Sequence, residues 1–108
     1  MAKQANDPGF EGGQAVALET ERKVKRPRPY RVLLHNDDYT TMEFVVWVLR
    51  TVFRHTEDAA LAIMLHVHQK GVGVAGVYSR EVAETRVAQV TRLAREHEFP
   101  LKCTMEPA

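Results

Sequence analysis

The sequence predicts an α/β domain of the α+β kind, ordered β-α-α-β-α-β, with three helices packed on a small, mostly antiparallel three-stranded sheet. Three observations carry that expectation. Two apolar, β-branched runs, Tyr30–Leu34 and Val72–Tyr78, suit strands. Three stretches between and after them repeat apolar residues at helical spacing, and each begins at a hydroxyl-bearing residue suited to capping. A proline, Pro100, then stops the last helix ahead of a short alternating run, Leu101–Met105.

The elements follow in order. Residues 1–28 carry glycines, polar residues and the basic run Arg22–Arg28, too little apolar surface to offset the entropy of ordering, so they are expected to form a disordered N-terminal extension. Residues 29–108 are expected to form the folded core. After the first strand, His35, Asn36, Asp37 and Asp38 read as a turn. Thr40 and Glu43 have the spacing of a capping box, with Tyr39 and Phe44 at the staple positions, so a helix is expected to start at Thr40. Val45, Val48, Leu49, Val52 and Phe53 continue it at helical spacing. The second helix is expected from Thr56 as N-cap to Gly71, which suits a left-handed end. Gly73 and Gly76 weaken the following strand. Ser79 caps a third helix with Ala83, Val87, Val90 and Ala94 on one face, and with Arg80, Glu84, Arg92 and Glu96 paired four apart on the other.

Bulk properties exclude several classes. A formal charge of +1, with 44% apolar and 27% charged residues, describes an ordinary globular protein rather than a strongly basic nucleic-acid binder. The single cysteine, Cys103, can form no internal disulfide, which fits a reducing compartment. No apolar run approaches the roughly 20 residues that span a bilayer, and the first residues have no signal-peptide core. A cytoplasmic monomer without membrane or nucleic-acid contact is expected.

Local chemistry concentrates at Asn36-Asp37-Asp38. Asn and Asp are common turn formers, and carboxylates offset the positive end of a helix dipole. The same oxygens also suit an ammonium group, which has three donors and no acceptor. Met64 and His68, four apart, share a helix face with Val67 beside them, whereas His66 and His68 point to opposite sides and cannot share one ion. Flexible thioethers such as Met42 and Met64 pack cores, and they also line pockets for apolar groups of differing shape. No paired Cys/His motif, phosphate-binding glycine loop or nucleophile elbow is present, so neither a metal, nor a cofactor, nor an enzyme is expected. Two rivals remain open at this level: a small nucleic-acid- or ribosome-associated module using the basic arm, and a metal-dependent hydrolase using His35, Asp37, Asp38 and His68.

Four segments together, Asn36–Val45 (NDDYTTMEFV), Met64–Gly71 (MLHVHQKG), Gly76–Arg86 (GVYSREVAETR) and Pro100–Glu106 (PLKCTME), closely resemble the ClpS family of Clp protease adaptors over about residues 29–106. The resemblance implies a non-enzymatic adaptor that binds proteins with N-terminal Leu, Phe, Tyr or Trp and delivers them to the ClpA unfoldase and ClpP protease. It implies that Asn36, Asp37, Asp38 and His68 hold the substrate's α-amino group. It further implies that the first side chain enters a pocket of Leu34, Thr40, Met42, Val45, Met64, Val67 and Leu101. Glu81, Glu84 and Arg86 match the surface that docks on the N-terminal domain of ClpA, and residues 1–28 match the extension that engages the unfoldase. The family usually carries proline at the position of Thr41, where a preset φ favours the first helical turn. The resemblance gives no role to Trp47.

Overall fold

The structure is a computed structural model that describes residues 28–108. All of the expected N-terminal extension except Arg28 lies outside the described residues. The elements are strand β1 (Tyr30–His35), helix α1 (Met42–Thr51), helix α2 (Glu57–Lys70), strand β2 (Val72–Tyr78), helix α3 (Arg80–Glu96) and strand β3 (Lys102–Pro107). The strands form the expected three-stranded antiparallel sheet, and their order in it is β2-β1-β3.

Alternation in β1 turns Val32 and Leu34 into a core completed by Phe44, Val45, Val48 and Leu49 of α1, Ala60, Met64 and Val67 of α2, and Ala83, Val90 and Ala94 of α3. On β2 the inward positions are Gly73 and Ala75, small enough for helices to approach closely. A bulge at Ala75 shifts the β1–β2 register, so Val32 faces Gly76 while Leu33 faces Val74. The Ala75 carbonyl, released from the ladder, accepts from the His55 ring Nε2 at 2.5 Å.

Helices α2 and α3 begin where expected, with the Thr56 and Ser79 hydroxyls accepting from Ala59 and Val82 amides. Gly71 closes α2 at φ 92°, a left-handed conformation that costs glycine little. Helix α1 departs from expectation. Its N-cap is Thr41, whose hydroxyl accepts from the Phe44 amide at 3.1 Å. Thr40 lies one residue before the cap, where its amide and hydroxyl both donate to Asp37, and Tyr39 is exposed rather than stapled to Phe44. The end of α3 also differs. The helix stops at Glu96, four residues before Pro100, through a left-handed Glu98 (φ 62°). Phe99 N donates to Ala94 O at 2.8 Å and Glu98 N to Arg95 O at 3.0 Å, the two bonds of a Schellman motif. The motif turns Phe99 back onto Phe44, with ring centroids 4.8 Å apart.

Candidate functional site

Topology alone brings the two halves of the site together. Because β2 follows α2 directly and pairs antiparallel with β1, the last residue of β1, His35, faces the first of β2, Val72. One step outward, Asn36 N donates to Gly71 O at 2.8 Å. The Asn36–Thr40 turn therefore sits against the last two turns of α2, which carry Met64, Val67 and His68. A cavity of about 430 Å³ lies between them, lined by Asn36, Asp37, Asp38, Tyr39, Thr40, Thr41, Met42, Glu43, Val45, Met64, Val67 and His68.

Its rim is polar and its wall is apolar. Asp37 is the most constrained member. Its Oδ1 accepts from the Tyr39 amide at 2.8 Å and the Thr40 amide at 2.7 Å, and its Oδ2 accepts from the Thr40 hydroxyl at 2.8 Å. Partial burial raises the pKa of this carboxyl, but the bonds from Thr40 and Tyr39 outweigh it, so the group stays charged below the ordinary carboxylate range. Oδ2 keeps room for a further donor, since each carboxylate oxygen accepts about two. Opposite the rim, Met64 and Val67 are buried while Met42 stands half exposed above them, an adaptable edge over a fixed wall. Val67 is held in place from behind: a Cβ added at Gly73 would stand 2.7 Å from Val67 Cγ2, so β2 passes this close only because residue 73 has no side chain.

The four residues expected to meet an amine, Asn36, Asp37, Asp38 and His68, all line this one cavity, as do Thr40, Met42, Val45, Met64 and Val67. Leu34 and Leu101 do not line it; both are buried in the central core. Sequence reasoning did not place Tyr39, Thr41 and Glu43 there. The sequence suggests a capping-box role for Glu43, but with Thr41 as the N-cap Glu43 stands in the first turn of α1 and lines the cavity instead.

Other expected residues fall elsewhere. His35 donates or accepts across the sheet with Thr104 Oγ1 at 2.8 Å and takes no part in the cavity. Among the described residues no three His, Cys, Asp or Glu side chains cluster as metal ligands, which removes the geometric basis for a hydrolase built on His35, Asp37, Asp38 and His68. Burial pushes the Cys103 thiol up to about 12, leaving it a poor nucleophile. On α3, Glu81 and Glu84 are exposed, and Glu84 pairs with Arg80 at 3.7 Å. Arg86 lies roughly 200° around the helix from Glu84, half buried over the Tyr78 ring at 5.7 Å, with Nη1 donating to Gln89 Oε1 at 3.3 Å. No helix among the described residues is long and apolar enough to cross a membrane.

The family described as ATP-dependent Clp protease adaptor protein ClpS matches residues 25–104. An ATP-dependent Clp protease adapter protein ClpS of Hyphomonas neptunium is 62% identical over 94 residues, 87% of this chain and 80% of its own length. That of Phenylobacterium zucineum is 56% identical over 104 residues, covering 96% of this chain and 95% of its own. Among solved structures, Agrobacterium tumefaciens ClpS2 bound to L-phenylalaninamide superposes with a TM-score of 0.74 at 46% identity, over 77% of this chain and all of that one. The chain therefore belongs to the ClpS family of Clp protease adaptors, and it is an adaptor rather than an enzyme.

Proposed function

We propose that this adaptor selects proteins by their first residue: it holds a free α-amino group at Asn36, Asp37, Asp38 and His68 and admits a large apolar or aromatic side chain, Leu, Phe, Tyr or Trp, beside Met42, Val45, Met64 and Val67. The observation that carries the reading is the joining of these two surfaces in one cavity of about 430 Å³. A chain's N-terminus is the one place in a protein where an ammonium and a side chain leave the same carbon. The ligand of the Agrobacterium relative, a phenylalanine amide, has that pairing of free amine and aromatic side chain.

Physically the site imposes two conditions. An ammonium must exchange water for oxygen and imidazole acceptors, of which Asp37 is already charged and fixed in place. The side chain must fill the apolar wall, a burial worth about 1.5–3 kcal/mol. Either condition alone leaves an ordinary weak contact; together they restrict binding to free N-termini of one class. The captured protein is then handed to the ClpA unfoldase and ClpP protease. Exposed Glu81 and Glu84 offer the docking face on α3, and Arg86, half buried over Tyr78 on the opposite side of the helix from Glu84, would bear on docking only from that far side.

The test is fluorescence anisotropy with a peptide beginning Leu or Phe and its N-acetylated twin. Acetylation removes the charge and leaves without a donor the acceptors that the bound peptide would cover, which costs at least about 1 kcal/mol, or about fivefold in affinity. Equal binding of the two peptides overturns the proposal.

A further inference from the structure

Beyond the cavity, a second concavity of about 400 Å³ runs between α1 and α2, lined by Met42, Glu43, Val46, Trp47, Arg50, Leu61 and Met64. Helical spacing explains its composition. Met42, Val46 and Arg50, with Glu43 and Trp47, form one stripe of α1, and Leu61 and Met64 face them from α2. Its walls are apolar and open to water: Met42 is 44%, Trp47 41% and Leu61 39% exposed. Glu43 and Arg50 supply the polar members, Arg50 pairing with Glu57 at 4.0 Å. A contiguous apolar patch with a polar rim marks a surface that receives something.

What it receives follows from where it starts. Met42, Glu43 and Met64 line both this groove and the amine-binding cavity, so the two share a wall. An extended peptide advances about 3.3 Å per residue. A chain whose first residue is seated in the cavity and that leaves across this shared wall carries its second and third side chains into the groove. Trp47 is poised for such a guest. One side of its ring is occupied by Phe44 and His97, with centroids 5.7 and 5.4 Å away, while the ring remains open to the groove.

We propose that the Met42–Trp47–Leu61 groove is a second specificity subsite, which takes an apolar side chain from the second or third residue of the same substrate whose N-terminus occupies the cavity. The inference rests on the proposed reading of that cavity. It makes Trp47 a residue that ranks substrates sharing one N-terminal residue, and it predicts that apolar groups just after the first residue strengthen capture while acidic ones at the same positions do not.

The experiment uses the full chain and three peptides: Leu followed by two glycines, and the same peptide with Leu at position two or at position three. Anisotropy should show the added leucine tightening binding by about fivefold at one of these positions, as partial burial of one apolar side chain allows. Trp47→Glu and Leu61→Glu should each abolish that gain while leaving affinity for the glycine peptide unchanged. The two variants change separate helices, so a folding defect in one does not remove the test. Trp47 is the only tryptophan in the chain, so its emission reports on the groove directly. A blue shift larger with the leucine peptide than with the glycine peptide supports the subsite. Glycine-peptide binding with no gain from either added leucine overturns the subsite alone, as does a gain that survives both variants. Failure of the glycine peptide to bind overturns the amine-binding reading instead. A concentration-dependent blue shift without peptide, accompanied by dimer formation, gives the groove to a second copy of this chain and overturns the assignment to substrate.

Discussion

Replacing Thr40 by valine removes one hydroxyl and little else, and that hydroxyl is a third of the clamp on Asp37. The carboxylate is fixed by the Tyr39 amide, the Thr40 amide and the Thr40 hydroxyl, at 2.8, 2.7 and 2.8 Å. A hydrogen bond to a charged acceptor contributes about 1.5–3 kcal/mol where water is excluded. Asp37 and Thr40 are only part-buried, so screening reduces the loss to about 1 kcal/mol, close to fivefold in an equilibrium constant. Two readouts should move together. The bonds now hold the Asp37 pKa below its ordinary value, so the stabilisation they bring is present at neutral pH and is lost as pH falls through that lowered value. Without the hydroxyl the pKa rises, and the acid limb of the stability curve shifts to higher pH. NMR titration of the Asp37 carboxyl measures the first effect. Peptide anisotropy measures the second, with binding expected to weaken about fivefold because the oxygens facing the amine are no longer held still. Thr40→Ser, which keeps the hydroxyl, should restore both. If Thr40→Val leaves the Asp37 titration and the affinity where they were, Asp37 does not owe its charge and orientation to this clamp.

Three further outcomes are expected. Gly73→Ala should cost about 1–3 kcal/mol in urea unfolding and weaken peptide binding, because its Cβ would displace Val67 at 2.7 Å; stability at or above that of the parent would show that Val67 yields freely. Thr41→Ala should cost about 1 kcal/mol by uncapping the Phe44 amide. Thr41→Pro should cost less, because the position already has φ −73° and proline restricts the unfolded chain, and equal losses for the two would refute this account. Cys103, with its thiol pushed up to about 12, should resist iodoacetamide at neutral pH in the folded protein and react once urea exposes it; rapid labelling of the native chain would contradict that burial.

Much of this architecture was legible before any coordinates. Thr56, Gly71 and Ser79 mark their helix ends because a hydroxyl before a helix and a glycine after one satisfy backbone groups locally, without help from the tertiary fold. The start of α1 was not legible, because two adjacent threonines can each cap and the choice depends on a third residue. Asp37 claims Thr40, which leaves Thr41 for the helix. The end of α3 was obscured for a different reason. Glutamate carries no left-handed preference, so Glu98 adopts φ 62° under tertiary pressure, as Phe99 turns in toward Phe44. At the site, the polar cluster and the Met64–His68 face were each visible as local patterns. Their adjacency was not visible, since it depends on how β1 registers against β2. The same register sends His35 across to Thr104 and away from the cavity.

The bond from Asn36 N to Gly71 O ties the recognition turn to the pocket wall through the main chain, at a seam continuous with the β1–β2 ladder. Opening the β1–β2 seam would therefore part the two walls of the cavity. The Asn36 amide should exchange with solvent as slowly as the central amides of β1, whose opening requires the whole sheet to come apart. On the proposed reading of the cavity, an adaptor that has lost this seam would have no half-formed pocket with which to capture the wrong protein, so damage to the fold would silence capture rather than loosen its choice.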